Sequence, residues 1–209
     1  MRLIIAASEA TKGELISQGT REGHQIEWVS SAADFKSHTE AEVYMDLEFD
    51  NNSGGKEIIN SLSPATVIVS SVIETLDQLP FVAARMNGWP TFLQRSLVEA
   101  TARDEQSKLI VSNAFDIFNK KISWTQDLPG FISARIIAMI INEAYFTLAE
   151  KVSTKKEIDL ALKLGTNYPY GPFEWAKQIG MEKISRLLEV LESEDERYRP
   201  APFIKRETI

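Results

Sequence analysis

The 209-residue sequence predicts a layered α/β domain followed by an all-helical one. Three observations carry this. Over roughly the first 125 residues, short strand-like apolar runs alternate with helical spacing. Strand signals stop at Pro129. The segment that follows, Phe131 to Glu150, is so densely apolar that its helix must be buried on most of its circumference.

Taken in order, the strand-like runs are Arg2 to Ala6, Gln25 to Val29, Val43 to Phe49, Thr66 to Ser70, Val82 to Met86, Leu97 to Ala100 and Lys121 to Trp124. Helical spacing falls on Thr11 to Glu22, Lys56 to Leu62 and Asp104 to Asn119, with Asp104 as an N-cap. Such alternation builds a mostly parallel sheet. In the second part, Ser153, Thr154 and Glu157 offer a capping box for a helix running to Leu164 and closed by Gly165. Pro172 suits a first helical position, and Gly180 separates that short helix from Met181 to Leu191. The change of class sets the expected domains at residues 1–126 and 127–209.

Composition narrows the function. A net charge of −7, with no basic cluster longer than two, excludes a nucleic-acid footprint, which needs concentrated cations. The chain has no cysteine, so disulfides, thiolate metal sites and cysteine nucleophiles are excluded. The longest strongly apolar stretch, Ile136 to Ile141, is far short of the roughly 20 residues that span a bilayer. No signal peptide is evident after Arg2, and a cytoplasmic protein without membrane association is expected.

The C-terminal half carries a resemblance. Asp127-Leu-Pro-Gly-Phe-Ile-Ser-Ala-Arg135 is similar to the D-x-P-G-F-[IV]-x-N-R segment that opens the C-terminal domain of L-3-hydroxyacyl-CoA dehydrogenases. Asn142-Glu-Ala144, Glu157 to Gly165, Tyr168 to Glu174 and Arg197-Tyr-Arg-Pro200 resemble further runs of that family in the same order. More faintly, Gly23-His-Gln-Ile26 and Ser63 to Ser70 resemble two strands of its Rossmann domain. Only some twenty residues separate Val29 from the next strand, about one βαβ unit too few, where the family has an excursion that helps hold CoA. The resemblance therefore implies an abridged Rossmann-like domain, a helical domain that forms a homodimer, and an acyl-CoA-like ligand.

It also implies a nicotinamide cofactor, and here the residues depart from the pattern. Dinucleotide binding needs glycines where the first strand turns into a helix, because the pyrophosphate approaches bare backbone N–H groups. Those positions are Ala6, Ser8 and Thr11, and Glu9 adds a carboxylate that at roughly 5 Å would cost about 3 kcal/mol against each phosphate charge. The acidic ribose ligand falls at Ser30, which tolerates a phosphorylated ribose. No cofactor-binding residues are expected.

Oxidation of a hydroxyl by hydride loss needs a base for its proton. The family's histidine falls on Met86 or a near neighbour in Arg85 to Glu99, and only Glu99 matches the catalytic set. The asparagine that contacts the reacting oxygen is Ala134, and the family serine lands near Ile73 or Glu74, with Ser70 and Ser71 close by. His24 and His38 lack a ligand-spaced partner, so no metal is expected. Two readings follow: a relative that has lost cofactor and catalysis and is kept as an acyl-ligand or protein-binding dimer, or an active divergent NAD(P)-dependent dehydrogenase of fatty-acid metabolism with a cleft around Glu99, Ser70 or Ser71, and Asn142.

Overall fold

A computed structural model describes residues 1–38, 40–51, 55–62 and 65–204. The chain forms two compact units, Met1–Phe131 and Ile132–Ile209.

The first unit is built on seven strands: β1 (Arg2–Ala6), β2 (Gln25–Val29), β3 (Val43–Asp46), β4 (Thr66–Ser70), β5 (Ala84–Met86), β6 (Leu97–Ala102) and β7 (Lys121–Trp124). They lie in the order β2-β1-β3-β4-β5-β6-β7. Every pairing is parallel except β5 with β6, which is antiparallel. A doubly wound sheet normally carries one more strand outside β2. Here β2 ends the sheet, as the shortness of the segment after Val29 leads one to expect.

Successive side chains of a strand leave on opposite faces, and the apolar sets sort accordingly. Leu3, Ile5, Val43, Met45 and Ile68 pack on one side with Leu15 of α1 (Glu9–Ile16) and Val111, Ala114 and Phe115 of α3 (Glu105–Asp116). Ile4, Ala6, Tyr44, Val67 and Val69 pack on the other with Phe35 and with Ile59 of α2 (Gly55–Asn60). Burial on both faces is why these strands read as continuous apolar runs.

Helix α1 starts earlier and stops sooner than its spacing suggests. The side chain of Ser8 caps it by accepting from the Thr11 N–H, and it ends where Ser17 Oγ donates to Glu14 O and Gly19 adopts φ +85°. Strand β3 ends at Asp46 because Asp46 Oδ1 accepts from Glu48 N at 2.9 Å, turning the chain.

The second unit contains α4 (Ser133–Ala149), α5 (Lys155–Thr166), α6 (Pro172–Ile179) and α7 (Met181–Glu192). Thr154 and Glu157 form the expected capping box, and Pro172 sits at the first turn of α6. The end of α5 differs from expectation: Gly165 lies inside the helix, Thr166 Oγ1 donates to Leu162 O at 2.6 Å, and Asn167 takes the left-handed cap at φ 55°. Asparagine tolerates that conformation. Gly171 permits a close crossing, since a Cβ there would lie 2.5 Å from the Asp159 Cα. Among the described residues, no helix is long and apolar enough to cross a membrane.

Candidate functional site

The sheet order reverses at β1, with β2 on one side and β3 on the other. In open α/β sheets, ligands bind outside the carboxyl ends of the strands at such a switch point. The β1–α1 turn and the end of β3 flank this point, and the end of β4 and the β5–β6 pair follow along the same sheet, all within the first unit.

At the β1–α1 turn, Leu47 N donates to Ala6 O at 2.9 Å, which brings the end of β3 alongside. Glu48 then reaches the helix start: its Oε1 accepts from Ser8 N at 3.0 Å and from Thr11 Oγ1 at 2.6 Å, and its Oε2 accepts from Asn51 Nδ2 at 2.7 Å. These bonds hold the Glu48 carboxyl below the usual range in spite of burial, which by itself raises it. The sequence reading anticipates a carboxylate here but from the wrong residue. Glu9 is solvent-facing beside Lys12 at 3.9 Å, and Glu48 is the carboxylate on the helix start.

Behind it, Asp46 is 1% exposed, and its Oδ2 has no hydrogen-bond partner. Burial pushes its pKa up to about 7, with Glu48 and Asp50 adding to the rise. Ser30, at the ribose position, donates to Asp34 Oδ2 at 2.9 Å, so a carboxylate also stands where a phosphorylated ribose would need a cation. The residues of this turn do not fit a dinucleotide pyrophosphate: side chains replace the glycines and a carboxylate occupies the N–H that would receive phosphate.

At the β5–β6 pair, the antiparallel register Met86↔Ala100 sets Asn87 opposite Glu99. Asn87 N donates to Glu99 O at 2.9 Å, and Asn87 Nδ2 donates to Glu99 Oε2 at 3.2 Å. Met86, the expected histidine position, is fully buried in the core, and the residue that faces Glu99 is its neighbour Asn87, itself 2% exposed. Ser70 is buried beside this pair, and only a glycine allows the approach, since a Cβ on Gly88 would lie 2.4 Å from Ser70 Oγ. Ser71 is spent on Glu74 O at 3.0 Å.

Next to it, Arg85 is fully buried and holds the 127–131 segment: Nε donates to Asp127 Oδ1 at 2.6 Å, Nη1 to Ser71 O at 3.1 Å and Nη2 to Leu128 O at 2.8 Å, and the guanidinium lies 4.3 Å from the Phe131 ring centre. The motif beginning at Asp127 thus has a structural use within the first unit. Sequence reasoning did not single out Arg85, because its partners are 14 to 43 residues away.

Asn142 is buried in the second unit. Its Nδ2 donates to Arg199 O at 2.9 Å, and its Oδ1 accepts from Ala201 N at 2.8 Å, so its polar atoms clasp the C-terminal segment. Ala134 is fully buried. His38 Nδ1 lies 3.1 Å from Glu27, and no cluster of metal-binding side chains occurs among the described residues. On the second unit, α4 exposes Ile136 by 50% beside a cleft of about 530 Å³ lined by Met139, Ile140 and Tyr198.

Residues 130–208 match the family model described as 3-hydroxyacyl-CoA dehydrogenase, C-terminal domain. The 3-hydroxyadipyl-CoA dehydrogenase of Escherichia coli is 42% identical over 92 residues, covering 43% of this chain and 19% of that protein. A probable 3-hydroxybutyryl-CoA dehydrogenase of Bacillus subtilis is 33% identical over 58% of this chain and 43% of its own length. The chain thus spans less than half the length of these curated relatives. The crystal structure of (S)-3-hydroxybutyryl-CoA dehydrogenase from Ralstonia eutropha superposes with a TM-score of 0.73 at 19% identity, covering 98% of this chain and 92% of that one, a likeness of fold.

Proposed function

Because this chain belongs to the 3-hydroxyacyl-CoA dehydrogenase family, we propose that it is a non-catalytic member, without nicotinamide binding or dehydrogenase activity, kept as a homodimer that binds an acyl-type ligand or a protein partner. The observation that carries this reading is Asn87 opposite Glu99. Removing the proton of a secondary alcohol as hydride leaves requires a group with proton affinity near neutral pH. A carboxamide has none, and Asn87 donates its own N–H to Glu99, the one residue left of the catalytic set. As a class, carboxylates are far weaker bases than imidazole.

The misfit of the β1–α1 turn supports the same conclusion from independent residues. For the homodimer, support comes from α4 and the residue before it, where Ile132 and Ile136 are 53% and 50% exposed on a helix otherwise packed in its unit. Exposed apolar surface of this kind marks an interaction face.

The test is a calorimetric and thermal-shift titration of the protein with NAD, NADH, NADP, CoA and acetoacetyl-CoA, with a turnover assay on 3-hydroxyacyl-CoA. No nucleotide binding and no NADH formation are expected. A thermal shift with the acyl-CoA alone supports the acyl-ligand arm, since a ligand that binds only the folded state raises its stability. Saturable NAD binding with turnover that is lost in Glu99→Gln would establish the active-enzyme alternative and overturn this reading.

A further inference from the structure

We infer that Glu48 is the built-in occupant of the nucleotide-phosphate position: its carboxylate, set on the start of α1 by the turn after β3, takes the bonds a phosphate would take and shuts phosphate-type anions out. This rests on the reading that the switch point no longer takes a dinucleotide, and it assigns the cause to a single side chain.

A helix start draws anions because its first N–H groups lack partners within the helix and carry partial positive charge. In this chain two N–H groups of the turn, those of Ser8 and Thr11, are already taken. Ser8 Oγ caps Thr11 N, and Glu48 Oε1 takes the Ser8 N–H together with the Thr11 hydroxyl. The carboxylate is not a loosely placed surface group. Asn51 Nδ2 holds its second oxygen, and the Glu48 backbone is fixed by its N–H to Asp46 Oδ1. Strand β3 delivers this turn beside β1 through the Leu47 N to Ala6 O bond, so the sheet register itself aims Glu48 at the helix. An arriving phosphate must displace three hydrogen bonds and sit against a charge of its own sign.

The charge dominates that balance. At about 5 Å and an effective dielectric near 20, one like charge corresponds to an affinity loss on the order of a hundredfold for a singly charged anion. Neutralising position 48 therefore opens a phosphate site that the glycine-poor turn still leaves accessible to a small anion, though not to a dinucleotide.

The experiment uses inorganic pyrophosphate titrated into wild type, Glu48→Gln and Glu48→Ala at fixed ionic strength and neutral pH, read by calorimetry and thermal shift. Both variants are expected to bind pyrophosphate at least about tenfold more tightly than wild type, and Glu48→Ala, which also loses the bonds to Ser8 and Thr11, is expected to lose thermal stability that pyrophosphate restores. Equal affinities in the three proteins, or no binding to any, overturn the inference. A measurement on wild type guards against variants that do not fold: the amide resonance of Ser8 is expected to titrate with an acid-shifted carboxyl, and a Ser8 amide insensitive to pH between 2 and 6 overturns the inference as well. NAD binding by wild type would refute the functional proposal, whereas the ratio of variant to wild-type anion affinity would still decide the role of Glu48.

Discussion

Asp46→Asn should make the protein more stable at pH 8 and less stable at pH 4. Asp46 is almost fully buried at the end of β3, one of its oxygens lacks a partner, and its pKa rises from 3.8 to about 7. For an acid raised in the folded state, the protonated form contributes stability that is fully present below the unfolded pKa and is lost as pH rises through the folded one. The loss therefore accumulates between about pH 4 and pH 7 and is complete above it. A rise of about 3 units at 1.36 kcal/mol each corresponds to roughly 4 kcal/mol. Asparagine keeps the acceptor for Glu48 N but buries an amide N–H₂ with no evident acceptor, at a cost of about 1–3 kcal/mol. The variant should thus gain on the order of 1–3 kcal/mol at pH 8 and lose a similar amount at pH 4. Urea unfolding of both proteins at several pH values measures this. A stability difference that stays constant from pH 4 to pH 8 would refute the buried-acid argument.

Three other outcomes follow from the geometry. Arg85→Lys keeps the charge but cannot reach Asp127, Ser71 O and Leu128 O together, and should cost about 3 kcal/mol in denaturant unfolding; a loss under 1 kcal/mol would show that the clasp is dispensable. Asn142→Ala strands the buried Ala201 N–H and the Arg199 carbonyl, and should cost about 2–4 kcal/mol by the same measurement. Ile136→Asp should convert the proposed dimer to a monomer in sedimentation analysis, and a wild type that is already monomeric at high concentration removes the dimer from the functional proposal.

Much of the fold is legible in local sequence because local physics decides it. Arg2–Ala6, Gln25–Val29, Thr66–Ser70 and Lys121–Trp124 are strands where the apolar runs place them, and Asp104 and Thr154 cap the helices that follow. What is not legible depends on distant partners. Asn87 meets Glu99 only because β5 and β6 run antiparallel, a register that no short window encodes. Glu48 belongs to a run read as strand, and its bonds to Ser8 and Thr11 cross 37 to 40 residues. Asn142 lies in a family-like motif that invites a substrate-cleft reading, and the segment it binds is 57 residues further on.

The shortened sheet has a consequence for the chain's life at high concentration. With the outer strand gone, β2 becomes a border, and a border strand is a template on which another chain's backbone can add. Its sequence, Gln25-Ile-Glu-Trp-Val29, is otherwise suited to such addition, with Ile26, Trp28 and Val29 in a five-residue strand. Glu27 interrupts that run, its charge flanked by Arg2 and His38. Glu27, with Arg2 and His38 beside it and Lys12 over the Trp28 ring, sets charge along that border, the means by which an edge strand resists the addition of another chain.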